Sequence, residues 1–289
     1  MSKYKIKKTL VLLTIYSILS MTGCGQNNTD SADTGTATPT STPVTTHDPV
    51  ATETPVVTEA PVVTEAPAPA DTATPVPGEE WKSNLGTIDL TNLHVSGTGV
   101  TVDGTTIRIT AGGDFTVTGT LENGKVVIST ADRVKLRLSG ASITCNNDSA
   151  IFVEKADKAF ITMESGTTNT ISSAGTEEAA IYSKDDLEIK GNGTLTIVSR
   201  LSHGIKASDD LNIENGTLNI TAARDGIHTN ETCDISGGTI TITAVKDGIE
   251  SEENLIIRGG NITITAKGQE YTAAGEMNID ESKATITIH

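Results

Sequence analysis

Between residues 216 and 266 the chain repeats one alternation three times: "GTLNITA" (216–222), "GTITITA" (238–244) and "GNITITA" (260–266). Polar and apolar positions alternate at period two, β-branched Thr and Ile dominate, and a glycine opens each run. This is the pattern of short strands with one buried face, and no helix-period stripe competes with it. Each unit divides into three such strands, which in one unit are "TITIT" (239–243), "GIES" (248–251) and "LIIR" (255–258).

The runs also share a fixed step. Gly204-Ile205, Gly226-Ile227 and Gly248-Ile249 lie 22 residues apart, and Tyr271 continues the Ile column. Leu218, Ile240, Ile262 and Ala284 make a second column, and Leu211, Cys233, Leu255 and Met277 a third. Three columns on one step mark stacked repeats. Leucine-rich repeats have a similar length, but their LxxLxL core is missing. Three short strands per unit, stacked at about 4.8 Å per rung, predict an all-β fold. The expected architecture is a right-handed parallel β-helix with three strands per coil and rungs of about 22 residues. Its narrow core would hold Ile240, Ile242, Ile249, Leu255 and Ile257. Looser coils at 109–128 and 134–153 would cap the N-terminal end.

The first 80 residues follow other rules. A basic "MSKYKIKK", an apolar "TLVLLTIYSILS" and "MTGC" predict an export signal over 1–23. The small residues before Cys24 resemble a bacterial lipoprotein box, with Cys24 as the lipidated residue; a plain N-terminal anchor is the alternative. Residues 24–80 are rich in Thr, Pro and Glu, contain VVTEAP twice and carry no hydrophobic period. Such a segment cannot bury enough apolar surface to order itself, and reads as a disordered tether. The third segment, 81–289, is the folded domain, expected at the extracellular face of the cell membrane and held there by lipid alone.

Charge narrows the partners. The formal net charge is −16, and loss of Lys3, Lys5, Lys7 and Lys8 with the signal takes it to −20. Nucleic acid is excluded, since phosphate binding needs a Lys/Arg surplus. Cys145 and Cys233 fall at different places in their repeats and read as two buried thiols. Trp81 is expected to pack over the N-terminal cap.

Candidate chemistry comes from register, because residues one period apart lie above each other. The position before each Gly-Ile holds His203, Asp225, Asp247 and Gln269. Four residues after each Ile stand Asp185, Asp209, Glu231 and Glu253, with Asp186, Asp210 and Asn254 beside them. Like charges at this spacing repel and raise each other's pKa. A cation would relieve them, and hard oxygen ligands in an extracellular setting favour Ca²⁺. The alternative is turn chemistry, in which Asp and Asn satisfy backbone donors. Between the ladders runs an outward column of Phe152, Tyr182, Lys206, His228 and Glu250, whose aromatic and basic groups suit sugar rings and carboxylates; an ordinary solvated face is the alternative. Arg224 and Lys246 flank it.

The segments "ITAGGDFTVTGTLENGKVVI" (109–128) and "VKLRLSGASITCNNDSAIFV" (134–153), with the "DGI" coils after them, resemble a family of exported bacterial β-helix proteins described as carbohydrate-binding domains. That family is similar to calcium-dependent polysaccharide lyases. The resemblance covers about residues 81–289 and implies a right-handed β-helix, bound Ca²⁺, and affinity for cellulose-like and acidic, pectin-type polysaccharides. A binding protein without catalytic residues is the leading expectation, with Tyr182, Lys206, His228, Arg224 and Lys246 on the glycan. A polysaccharide lyase is the alternative, with Lys206 as base. A structural stalk or adhesin is the third.

Overall fold

The computed structural model describes residues 79–176 and 178–289. The signal segment, Cys24 and all but the end of the 24–80 tether lie outside the described residues. From Lys158 onward each coil contributes one strand to each of three faces. The first face stacks Thr168–Ser173, Thr194–Ser199, Thr217–Ala222, Thr239–Ala244, Gly260–Ala266 and Ala284–Ile288 in parallel. A second is built from Ile151–Lys155, Ala179–Ser183, His203–Ala207, Ile227–Thr229, Ile249–Ser251 and Tyr271–Ala273. The third holds Lys158–Met163, Leu187–Gly191, Leu211–Ile213, Cys233–Ile235, Leu255–Ile257 and Met277–Ile279. The result is a parallel β-helix of about eight coils of roughly 23 residues.

Period-two alternation places every second side chain in a core one residue wide. Ile240, Ile242, Ile249, Leu255 and Ile257 are all fully buried, as expected. Ile205, Ile227, Ile249 and Tyr271 stand in register, as do Leu211, Cys233, Leu255 and Met277. One column needs correcting. Ile262 pairs with Ile286, while Ala284 pairs with Gly260. The turn before the last strand, built on Asp280 and Ser282, is two residues longer than its predecessors and shifts the register.

The N-terminal coils depart from three strands per coil. Gly113–Glu122 and Arg133–Cys145 run unbroken from the third face into the first, bending at a bulge beside Gly119 and at Gly140. Both glycines have left-handed φ, 82° and 74°, a conformation that strains any residue with a Cβ. A short antiparallel pair, Val100–Asp103 with Thr106–Ile109, ends the stack on the second face. Trp81, in the single turn Glu80–Ser83, is buried over this end. Cys145 and Cys233 are free and buried, and burial pushes the Cys233 thiol up to about 12.

Candidate functional site

The second face carries the outward column in continuous register: Phe152 beside Tyr182, Tyr182 beside Lys206, Lys206 beside His228, and His228 beside Glu250. The Phe152 and Tyr182 rings stack with centroids 5.3 Å apart and planes 17° off parallel. Lys184 lies 5.4 Å over Phe152, and Lys206 lies 5.9 Å over Tyr182. Lys206 Nζ donates to Glu178 Oε2 at 2.6 Å, and this bond is the main reason the Glu178 carboxyl lies below its ordinary value. Aromatic faces next to cations give a polar, ring-shaped ligand both a stacking surface and charge.

At the corner before this face the Asp ladder has a definite local job. Asp225 Oδ1 accepts the backbone N–H of Asp247 at 2.9 Å, and Asp247 Oδ1 accepts that of Gln269 at 2.5 Å. Each carboxylate thus supplies the acceptor that the next rung's turn lacks. The second oxygen of Asp225 faces a crowd. His203 Nδ1 lies 3.0 Å from it, off the line of a hydrogen bond, and His228 Nδ1 lies 3.6 Å away. Lys246 Nζ stands 3.3 Å from the same oxygen, 2.9 Å from Glu250 and 3.4 Å from Asp247. Asp225 is wholly buried. Burial pushes its carboxyl up, but His203, His228 and the Asp247 N–H outweigh this and hold it far below the carboxylate range. For His203 burial wins and lowers the pKa; for His228 burial is overcome by Asp225 and Glu250, and the pKa rises. Lys246 is raised because Glu250 and Asp225 outweigh its desolvation.

The other acidic ladder is different. Asp185 accepts the Ala156 N–H at 2.8 Å, Asp210 that of Thr232 at 3.0 Å, and Asn254 that of Glu276 at 2.9 Å. These three residues satisfy turns. Their neighbours Asp209, Glu231 and Glu253 receive no backbone donor and no ion pair among the described residues. Burial, then the charges of Asp185, Asp186 and Asp210, raise the Asp209 carboxyl. Asp209 chiefly raises Glu231, and burial raises Asp186 against a backbone hydrogen bond from Asp210 that lowers it. The oxygens of this ladder do not converge in threes as those around Asp225 do. Arg224, the last of the expected glycan residues, is exposed and makes no ion pair among the described residues.

A second aromatic cluster escaped sequence reasoning. On the third face Lys135, Phe160 and Glu188 stand in register. Trp81 stacks on Phe160 at 5.6 Å, nearly parallel. Lys135, Lys158 and Lys190 surround the Phe160 ring within 5.9 Å. Glu188 is buried between Lys158 and Lys190, whose charges overcome its desolvation and lower its pKa. Trp81 precedes the repeats, so no periodicity could align it with Phe160.

A β-solenoid with stacked aromatics and lysines on its outer faces offers a polar, ring-shaped ligand stacking surfaces and charge. The comparisons agree. The family model for carbohydrate-binding domain-containing proteins matches residues 103–289, and the chain belongs to that family. A carbohydrate-binding domain-containing protein of Acetivibrio thermocellus is 32% identical over 136 residues, which is 43% of this chain and 48% of the relative. The chain therefore spans about half the length of that relative. Among solved structures, a gadolinium derivative of the polysaccharide lyase-like protein from C. thermocellum aligns with a TM-score of 0.63 at 28% identity, covering 70% of this chain and 98% of its own. The protein is thus a β-helical member of the carbohydrate-binding domain family, with the architecture of the polysaccharide lyase-like protein.

Proposed function

We propose that the protein is a lipid-anchored, cell-surface binding protein that holds cellulose-like and acidic, pectin-type polysaccharide along its second face without cleaving it. The observation that carries this reading is the stacked Phe152–Tyr182 pair continuing into Lys206 and His228 on one sheet face. Rings one rung apart offer a glycan a series of platforms, and the basic residues beside them suit its carboxylates. Calcium belongs to the same proposal. Of the two ladders, the one through Asp185, Asp186, Asp209, Asp210, Glu231 and Glu253 has no lysine or histidine paired into it among the described residues, and burial together with neighbouring carboxylates raises Asp186, Asp209 and Glu231. Bound there, Ca²⁺ would supply positive charge that bridges protein and uronate carboxylates.

Lyase chemistry has weaker support. A β-elimination base must face the substrate with a free nitrogen lone pair, whereas Lys206 is engaged by Glu178 at 2.6 Å. Sedimentation with insoluble cellulose and with polygalacturonate gel, at matched calcium, tests binding. Ultraviolet absorbance of unsaturated product tests cleavage. Retention of the protein without absorbance growth is expected. Calcium-dependent absorbance that is lost in Lys206→Ala would replace binding with lyase action, and failure to sediment with either polymer would favour a stalk.

A further inference from the structure

The corner around Asp225 holds donors of a different kind from the rest of the solenoid. We propose that His203, Asp225 and His228, joined by Glu250, form a site for a divalent transition ion of the zinc class, separate from any oxygen-only calcium site.

Geometry carries the case. The nitrogens of His203 and His228 and a carboxylate oxygen of Asp225 all lie within 4.8 Å of one another. The separations are 3.0 Å from His203 Nδ1 to Asp225 Oδ2, 3.6 Å from His228 Nδ1 to the same oxygen, and 3.1 Å from His228 Nδ1 to Glu250 Oε2. A tetrahedral ion with bonds of about 2.0–2.2 Å needs neighbouring donors about 3.3–3.6 Å apart. Small side-chain shifts therefore bring His203, Asp225 and His228 to that spacing, and Glu250 stands beside His228 as a further carboxylate. Two imidazole nitrogens suit zinc and its neighbours and are poor ligands for calcium, which takes six to eight oxygens.

One further observation points to a ligand, and a second feature fits it. His203 Nδ1 is buried with no hydrogen-bond partner, although its residue is only 2% exposed. Buried polar atoms are rarely left so, and an ion at this point would satisfy it. Asp225 is also pre-oriented: its other oxygen is fixed by the Asp247 N–H at 2.9 Å, the kind of outer support that aligns metal ligands. Among the described residues, only one rung brings two histidines and a carboxylate together. The position below His203 in the strand register is Ala179, and the column above Asp247 continues with Gln269.

Lys246 explains how the corner is tolerated without metal. Its ammonium contacts Asp225, Asp247 and Glu250 while its side chain is 49% exposed, so it can swing into solvent. Ammonium and metal compete for the same oxygens. Removing the ammonium should therefore strengthen metal binding, an outcome that a mere hydrogen-bonded His–Asp–His relay would not give.

The test is calorimetric titration of the protein with zinc chloride, in buffer containing millimolar calcium chloride. One saturable equivalent is expected, not displaced by calcium. His203→Gln and His228→Gln should each lose tenfold or more in affinity, and Lys246→Met should gain threefold or more. Absence of saturable binding, binding unchanged in the His203→Gln/His228→Gln pair, displacement by calcium, or no gain in Lys246→Met would each overturn the site. Should a histidine variant fail to fold, imidazole nitrogen NMR shifts of the parent protein decide: zinc must move the His203 and His228 signals and leave those of His94 and His289. Polysaccharide sedimentation is measured separately, in zinc-free buffer, so failure of one reading does not disguise failure of the other.

Discussion

Gly204→Ala tests the physical reason for the repeated Gly-Ile. A Cβ at Gly204 would lie 2.5 Å from Ile220 Cγ2 and 2.6 Å from the carbonyl oxygen of Gly226 on the next rung. Both distances fall about 1 Å or more inside ordinary contact. Neither neighbour can move freely. Ile220 is buried in register between Ile197 and Ile242, and the Gly226 oxygen accepts the Ile205 N–H at 3.0 Å. Gly204 does not have a left-handed φ, so the backbone itself permits alanine. Stiffening the unfolded chain would then favour the variant by about 0.4–1 kcal/mol. Overpacking costs about 1–3 kcal/mol, and strain on one ladder bond about 1 kcal/mol. Destabilisation of about 1–3 kcal/mol should remain, or about 2–4 °C in Tm per kcal/mol for a domain of this size. Urea unfolding followed by circular dichroism and by tryptophan fluorescence measures it and checks two-state behaviour, which solenoids do not always keep. A double-mutant cycle with Ile220→Ala sharpens the result. That truncation alone costs about 2–5 kcal/mol. Because it removes Cγ2, the two changes together should cost about 1 kcal/mol or more less than their sum. Strict additivity, or a neutral Gly204→Ala, would show that close approach is not why glycine stands there.

Ile227→Asp, between Ile205 and Ile249 in the core, should cost several kcal/mol by burying a charge without a partner, read as lost strand signal or a large fall in urea midpoint. For the acidic ladder the sign follows from the raised folded-state carboxyls of Asp186, Asp209 and Glu231. A raised folded pKa means the native state binds protons more tightly. Its contribution to stability is therefore full below the unfolded carboxylate value, about 3.8–4.5 in these residues, and is lost as pH rises through the folded values. Calcium at pH 7 should raise Tm, and Glu231→Gln should shrink that rise; equal melting with chelator and with calcium would reduce the ladder to turn chemistry. Tyr182→Ala should weaken polysaccharide sedimentation severalfold with melting nearly unchanged, and unaltered retention would remove the second face as the glycan surface.

Legibility in the sequence followed regularity. From Gly204 to Tyr271 the step is constant, so counting by 22 reproduced the observed strand partners. Ala284 failed because counting cannot see a turn two residues longer around Asp280. Upstream, register partners Val127, Phe152, Tyr182 and Lys206 are separated by 25, 30 and 24 residues, and the strands running through the corner erase one turn per coil. The outward column was readable because it lies within one strand of each coil. The corner around Asp225 was only half readable. Its members sit at offsets of −22, +3, +21 and +25 from Asp225, in two columns and a turn, and only side-chain length shows that Lys246 and Glu250 reach in. Trp81 and Phe160, 79 residues apart, share no period at all.

The two acidic ladders are two answers to one electrostatic problem. Stacking a carboxylate on every rung brings like charges within about 5 Å of each other, and the energy must be relieved inside the protein or from outside it. At Asp225, Asp247 and Glu250 the chain supplies Lys246 and two histidines, and the Asp225 carboxyl falls far below its ordinary range. At Asp209, Glu231 and Glu253 no cation pairs in among the described residues, and the first two carboxyls rise. Had both ladders served only to satisfy turns, one oxygen per rung would suffice, and Asp210 and Asn254 already provide it. Asp209 and Glu253, the other acidic residues of those rungs, are then surplus to turn formation, and the raised Asp209 carboxyl costs stability at neutral pH. Keeping them makes physical sense where a cation, or a cation shared with a bound polyuronate, completes the surface. A net charge of −16 otherwise repels that polymer.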